Sequence, residues 1–325
     1  MLASITMSSP ASQLTPKRIP QTFKTENSGY VGRFAPSPSG PLHFGSLVSA
    51  LASYLDAKAQ RGHWLVRMED LDPPREQPGA ASSILQCLDE HGLHWDGEVI
   101  YQSQRHDAYQ DCLDALVQAE FAYPCGCSRQ DLTAMGGIYN GHCRTHQPAL
   151  ETTSSIRLKL YDLPGRISSE LIEFEDIFQG LQHQNLRSQA GDQILKRRDG
   201  LFAYQLAVVV DDIAQGITHI IRGSDLLDVT GRQLFFFDLL GAPLPQFGHV
   251  PLAMQTNGQK LSKQNHAKAI DNQCASRNLW HGLRFLGQNP PSVLADAPVA
   301  ELLDWALHHW QRHEVQGLGH LYQEE

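Results

Sequence analysis

Three stretches of the chain carry side chains of the right types and spacing for chemistry. The first is Arg33-Phe34-Ala35-Pro36-Ser37-Pro38-Ser39-Gly40-Pro41-Leu42-His43-Phe44-Gly45-Ser46. A proline-stiffened loop here delivers a His and a Gly to the start of a helix, where free N–H groups and the helix dipole favour phosphate. Gly45 lets a nucleotide lie close to the backbone, and His43 is able to donate to a phosphate oxygen. The second stretch is Lys260-Leu261-Ser262-Lys263, which follows the tight-turn pair Asn257-Gly258. Two cations on a loop suit the clamping of a polyphosphate and the charge that develops in group transfer. The third is Cys125-x-Cys127 with Cys143. Three thiolates nearly complete a soft tetrahedral zinc site, and His142 or His146 is an ordinary fourth ligand. Taken singly, each stretch also reads as plain structure: a strand-to-helix turn, a solvated lysine loop, three reduced cysteines.

The elements that must position these groups follow an α/β pattern. Tyr30–Phe34 reads as a short strand, Ser46–Gln60 as a helix with Leu47, Val48, Leu51, Tyr54 and Leu55 at helical spacing, and Trp64–Met68 as the next strand, ending at Glu69 and Asp70. Strand–loop–helix–strand opens a parallel sheet, whose ligands collect at the carboxyl ends of its strands. Helices are predicted near 78–91 and 103–120. A Cys-, Gly- and His-rich stretch follows, then short strands and an Asp199-Gly200 hairpin turn. The α/β pattern resumes with a strand over 216–222 and a helix over 230–240.

Together the motifs resemble the class I aminoacyl-tRNA synthetases, whose signatures are of the His-Ile-Gly-His and Lys-Met-Ser-Lys-Ser types. Here they stand as His43-Phe44-Gly45-Ser46 and Lys260-Leu261-Ser262-Lys263-Gln264, with Ser46 and Gln264 departing from the pattern. The resemblance narrows to the glutamyl branch through Arg33 to Pro38, Arg67-Met68-Glu69-Asp70, Tyr204, Val208 to Asp212 and Ile221-Arg222-Gly223. It implies an L-glutamate site made of Arg33, Phe34, Ala35, Pro36, Ser37, Glu69, Tyr204 and Arg222. It implies ATP held by His43, Gly45 and Lys263, with Lys260 assisting, and with magnesium accompanying the nucleotide. The residue types suit the ligand: Arg33 and Arg222 are each able to take a carboxylate bidentately, and Glu69 to accept from the ammonium. Which arginine takes which carboxylate stays open at this stage. The resemblance also gives one structural zinc ion the ligands Cys125, Cys127, Cys143 and Tyr139, alongside the two histidine alternatives.

The implied fold is a Rossmann-type class I catalytic domain with an inserted, zinc-containing, acceptor-binding-like subdomain and a short helical C-terminal part. Its expected divisions are a disordered leader over 1–28, a first catalytic half over 29–102, the insertion over 103–195, a second half over 196–264, and C-terminal helices over 265–325. Full-length members of the branch continue into a long helical anticodon-binding region, which 265–325 is too short to supply. That feature, with the run Arg197 to Ala207, resembles the truncated paralogues that esterify glutamate to queuosine at the wobble position of tRNA(Asp). A short synthetase charging a tRNA 3′ end and a catalytically dead, zinc-stabilised RNA-binding paralogue are the alternative expectations.

Composition sets the outer limits. Of 325 residues, 41 % are hydrophobic, enough for a substantial core. A net charge of −9 argues against a nonspecific nucleic-acid coat but leaves room for a local basic groove. No apolar run is long enough to span a bilayer, and the N-terminus lacks an apolar signal core. A cytoplasmic, monomeric protein with reduced cysteines is the expectation.

Overall fold

The computed structural model describes residues 29–146, 148, 153–163, 170–254, 268–317 and 319–321. The leader, the Asn257-Gly258 turn and the loop bearing Lys260 and Lys263 lie outside the described residues.

Strand β1 (Val31–Phe34) feeds the proline loop and then helix α1 (Phe44–Ala59). The His43 ring caps that helix, its Nδ1 accepting from the Ser46 amide at 3.3 Å. Strand β2 (His63–Met68) pairs parallel to β1 with Arg33 opposite Leu65, and β3 (Ile100–Tyr101), reached through α2 (Ala80–Glu90), pairs parallel to β2. Helix α3 (His106–Gln118) leads into an antiparallel sheet of β4 (Ala122–Cys125), β5 (Ser155–Leu158) and, later in the chain, β8 (Gln193–Lys196). Between β4 and β5 lies the short helix α4 (Arg129–Ala134). The hairpin β6 (Leu171–Asp176) and β7 (Gly180–Asn185) precedes β8. Then come α5 (Tyr204–Gln215), β9 (His219–Gly223), α6 (Thr230–Leu239), β10 (Gln246–Val250) and β11 (Leu252–Met254). Helices α7 (Ala275–Phe285) and α8 (Val299–His309) and strand β12 (Gly319–Leu321) complete the order.

Strand β9 lies alongside β1: the Thr218 amide donates to the Val31 carbonyl at 2.9 Å, and the Thr218 hydroxyl accepts from the Val31 amide at 2.8 Å. Beyond it the order continues through β10, β6 and β7, so the hairpin at 171–185, grouped by sequence with the insertion, extends the sheet of the second half. Leu65 joins the core under α3, α5 and α6, while its neighbours Trp64 and Val66 join the core under α1, α2, α7 and α8. Alternate residues of one strand thus serve two cores, so helices cover both faces of the sheet. The run Val208-Val209-Val210 is β-branched, yet it lies inside α5 because Leu206 through Gln215 are all buried. Burial on every side of the helix overrides a local preference for strand. In the C-terminal part the expected helices are joined by β12, which pairs parallel with β11. Buried Asp56 of α1 fastens this part, accepting from Trp310 Nε1 at 3.0 Å and from both Nε and Nη2 of Arg312. His94 does not pack as its neighbours do; it is exposed and faces Asp89 at 3.2 Å.

Candidate active site

The carboxyl ends of β1, β2 and β9 open onto one cavity of about 630 Å³. The cavity lies where the sheet runs from β1 to β2 on one side and to β9 on the other, the place where open α/β sheets bind ligands. Its lining includes Arg33, Phe34, Ala35, Pro36, Ser37, His43, Gly45, Glu69, Tyr204 and Arg222. Every described residue expected to meet glutamate or ATP is therefore brought together; Lys260 and Lys263 lie outside the described residues. Gly45 stands over the His43 ring so closely that an added Cβ would sit 3.3 Å from Cε1, which ties the glycine to the ring's capping position. With Nδ1 accepting from the Ser46 amide, the proton of a neutral His43 ring falls on Nε2, 3.1 Å from Ser46 Oγ.

Buried charge organises the β1–β2 side. Arg33 forks onto Asp212, Nε to Oδ1 at 3.2 Å and Nη2 to Oδ2 at 3.3 Å. Arg67 reaches the same carboxylate at 2.8 Å, Gln215 at 2.6 Å and Glu69 at 3.3 Å. Burial works against the Asp212 anion, but the Arg33 and Arg67 guanidiniums outweigh it and hold the carboxyl below its ordinary range. Glu69 goes the other way: burial lifts its carboxyl above the usual value although Arg67 and Arg33 pull it down. Asp211, next in the chain, takes Gln102, Arg105 and Tyr109, linking this network to α3.

The β9–β10 side is built from neutral partners. Arg222 donates from Nε to His249 Nε2 at 3.0 Å and from Nη1 to Gln233 Oε1 at 2.7 Å. Nη2 donates to Thr230 Oγ1 at 2.9 Å and to the Leu226 carbonyl at 3.1 Å. Tyr204 Oη lies 3.5 Å from Nη1, at the long limit of a hydrogen bond. Among the described residues no ion pair includes Arg222, and the side chain is only 5 % exposed. Burial lowers its pKa accordingly. A buried guanidinium facing a cavity with no contacting anion is a site for an anionic ligand. Sequence reasoning missed its supports, Gln233, Thr230, His249 and Asp176, because they come from separate elements and meet only in the fold.

The cysteine cluster lies apart, in the antiparallel subdomain. The sulfurs of Cys125, Cys127 and Cys143 lie within 4.8 Å of one another, and none is in a disulfide. Tyr139 Oη is 3.4 Å from Cys125 Sγ and accepts from the Cys143 amide at 2.8 Å. His142 and His146 are exposed and stack on each other with ring centres 4.6 Å apart. Arg157 covers the Tyr139 ring and donates to Cys125 Sγ at 3.2 Å, a contact that favours a thiolate. Gly191, at φ +62°, pairs with Tyr139 so tightly that any Cβ would run into the tyrosine backbone. A soft, closed donor set of this kind fits zinc.

The fold and cavity define a class I synthetase catalytic domain, and residues 30–281 match the family described as tRNA synthetases class I (E and Q), catalytic domain. The chain belongs to that family and is an enzyme of that type. It is 52 % identical over 282 residues to the Glutamyl-Q tRNA(Asp) synthetase of Vibrio cholerae, covering 87 % of this chain and 90 % of that one. To the protein of the same name from Pseudomonas fluorescens it is 51 % identical over 284 residues, covering 87 % and 93 %. Its fold matches the crystal structure of a glutamate tRNA ligase from Elizabethkingia meningosepticum, with a TM-score of 0.74 and 23 % identity over 91 % of this chain and 67 % of that one. Among the described residues no helix is long and apolar enough to cross a membrane.

Proposed function

We propose that this enzyme activates L-glutamate with ATP, without needing tRNA, and transfers it to queuosine at the wobble position of tRNA(Asp). The observation that carries the reading is Arg222, a buried cation with only neutral contacts, across the cavity from a pre-neutralised Arg33 and a carboxylate, Glu69. Glutamate complements that layout. Arg222 receives the side-chain carboxylate, Glu69 accepts from the ammonium, and Tyr204 orients the ligand through its hydroxyl. Arg33, with Asp212 holding two of its nitrogens, steadies the α-carboxylate. Phe34, Ala35, Pro36 and Ser37 form the wall against which the amino acid lies.

The α-carboxylate oxygen attacks the α-phosphorus of ATP, and pyrophosphate leaves. The carboxylate is already ionised, so no base is required; catalysis is positioning plus charge stabilisation. His43 and the backbone at Gly45 hold phosphates at the start of α1, and Lys263, assisted by Lys260, supplies positive charge to them. Magnesium accompanies the ATP. In the second step a hydroxyl of the cyclopentene diol attacks the glutamyl carbonyl, AMP leaves, and the hydroxyl proton is released. A vicinal diol on a base resembles the ribose diol of a tRNA 3′ end, so one active site serves either acceptor. An adjoining chamber of about 360 Å³, walled by Asp72, Glu76, Gln102 and Phe202 and sharing Ser37, Glu69 and Tyr204 with the main cavity, gives the acceptor room. Cys125, Cys127, Cys143 and Tyr139 hold one structural zinc ion, pinning the subdomain within 103–195 that faces the tRNA.

The test is labelled glutamate and ATP offered with two tRNA pools, one from cells that make queuosine and one from cells that do not. Label entering only the queuosine-containing pool is expected. Equal labelling of both pools would identify a 3′-end charging enzyme instead.

A further inference from the structure

Behind Arg222 lies a buried relay that never reaches the cavity. His249, on β10, has no exposed side-chain surface, and neither does Asp176 at the end of β6. The two are joined at 2.5 Å between His249 Nδ1 and Asp176 Oδ2. The other oxygen, Asp176 Oδ1, accepts from three backbone amides, those of Phe178 and Gln179 at 3.0 Å and of His249 at 3.1 Å. On the far side of the imidazole, Nε2 accepts from Arg222 Nε at 3.0 Å. A guanidinium only donates, so Nε2 must present a lone pair and the ring proton must sit on Nδ1, facing Asp176. Hydrogen bonds thus fix the tautomer from both ends.

We infer that His249, held in this tautomer by Asp176, is a positioning residue for glutamate recognition: it orients Arg222 through a neutral contact and so leaves the guanidinium charge for the ligand's carboxylate. A carboxylate placed directly on Arg222 would orient it equally well but would neutralise it, and the cavity would lose its reason to prefer an acid to the matching amide. The relay keeps the anion one ring away. Asp212 on Arg33 is the contrasting arrangement in the same cavity. Hydrogen bonding to Asp176 also makes Nε2 a better acceptor, as a carboxylate does for a metal-bound histidine.

The inference rests on reading the cavity as a glutamate-activating site, and the experiment separates the two. Glutamate-dependent exchange of pyrophosphate into ATP is measured for the wild-type protein and for Asp176→Asn, His249→Gln and His249→Phe, with KM for glutamate and for ATP and with glutamine as competitor. Absence of exchange in the wild type would overturn the glutamate reading itself.

Asp176→Asn is the sharpest variant. Its oxygen stays with the three amides, so its NH2 faces Nδ1, the ring proton moves to Nε2, and donor meets donor at Arg222. The expected result is at least a tenfold rise in the glutamate KM, with the ATP KM within twofold and weaker discrimination against glutamine. His249→Phe is expected to do the same. His249→Gln, whose amide oxygen is able to accept from Arg222, is expected to recover most of the loss. Thermal melting of each variant checks folding; if a His249 variant fails to fold, Asp176→Asn carries the test. An unchanged glutamate KM in Asp176→Asn, or glutamate and ATP KM rising together in every variant, would overturn the inference.

Discussion

Arg33 and Arg222 reach one cavity from neighbouring strands, yet their surroundings are opposite. Arg33 is forked onto Asp212, and Arg67 reaches both Asp212 and Glu69, so two guanidiniums meet two carboxylates before any ligand arrives. Arg222 is held by an imidazole, an amide, a hydroxyl and a carbonyl, all neutral. Balanced charge serves the fold, because an unpaired partner there would be costly to bury. Unbalanced charge serves selection, because its desolvation cost is offset only when an anion binds. The two arginines, alike in sequence, are thus held in opposite ways: one by a carboxylate of its own fold, the other by neutral groups alone.

The largest expected effect breaks the selecting side. Arg222→Gln should lower glutamate-dependent exchange by about 10²–10⁴-fold, from the roughly 3–5 kcal/mol lost when a buried charge loses its partner. The same variant should lower the melting temperature less than loss of Asp212 does, since the cation it removes has hydrogen-bond partners but no contacting anion. Asp212→Asn inverts the pattern. It leaves Arg33 and Arg67 short of a buried counter-charge, costing about 3 kcal/mol of stability, measured by chemical denaturation. The pH dependence has a definite sign. The native Asp212 carboxyl lies below its ordinary value, so its stabilisation is complete above the unfolded-state range near 3.9 and is lost as pH falls through the lower native value. The acid limb of the unfolding curve should therefore flatten in Asp212→Asn.

Glu69 offers a subtler separation. Burial raises its carboxyl, so glutamate affinity should fall as pH drops through a value above the ordinary glutamate side chain. Glu69→Gln should lose about tenfold in affinity at neutral pH, from roughly 1.5 kcal/mol of charge-assisted hydrogen bonding, and lose the acid limb with it. The cysteine cluster should give the smallest effect on activation. Cys143→Ser should lower bound zinc, measured by elemental analysis, and depress transfer to tRNA more than glutamate-dependent exchange, whose cavity contains none of the cluster.

Sequence patterning exposed the parts of the molecule with a local signature. Leu47, Val48, Leu51 and Leu55 mark α1, and the proline loop with His43 and Gly45 marks the mouth of the cavity. The short Cys125–Cys127 spacing marks the cysteine cluster. Positions whose meaning comes from distant partners were illegible. Val208-Val209-Val210 gives no local hint of a helix, because that helix is stabilised by burial between sheet and neighbours. His249 and Asp176 are 73 residues apart and meet only when β6 and β10 pair. Arg33 and Arg222 look alike in the sequence for the same reason: what distinguishes their surroundings is Asp212 and His249, remote in sequence from either.

The most direct measurement is pyrophosphate–ATP exchange in the absence of any tRNA, with glutamate and glutamine compared at equal concentration. Exchange driven by glutamate and not by glutamine is expected, because only the acid supplies an anion to Arg222. Exchange that requires tRNA, or that glutamine supports equally, would contradict it.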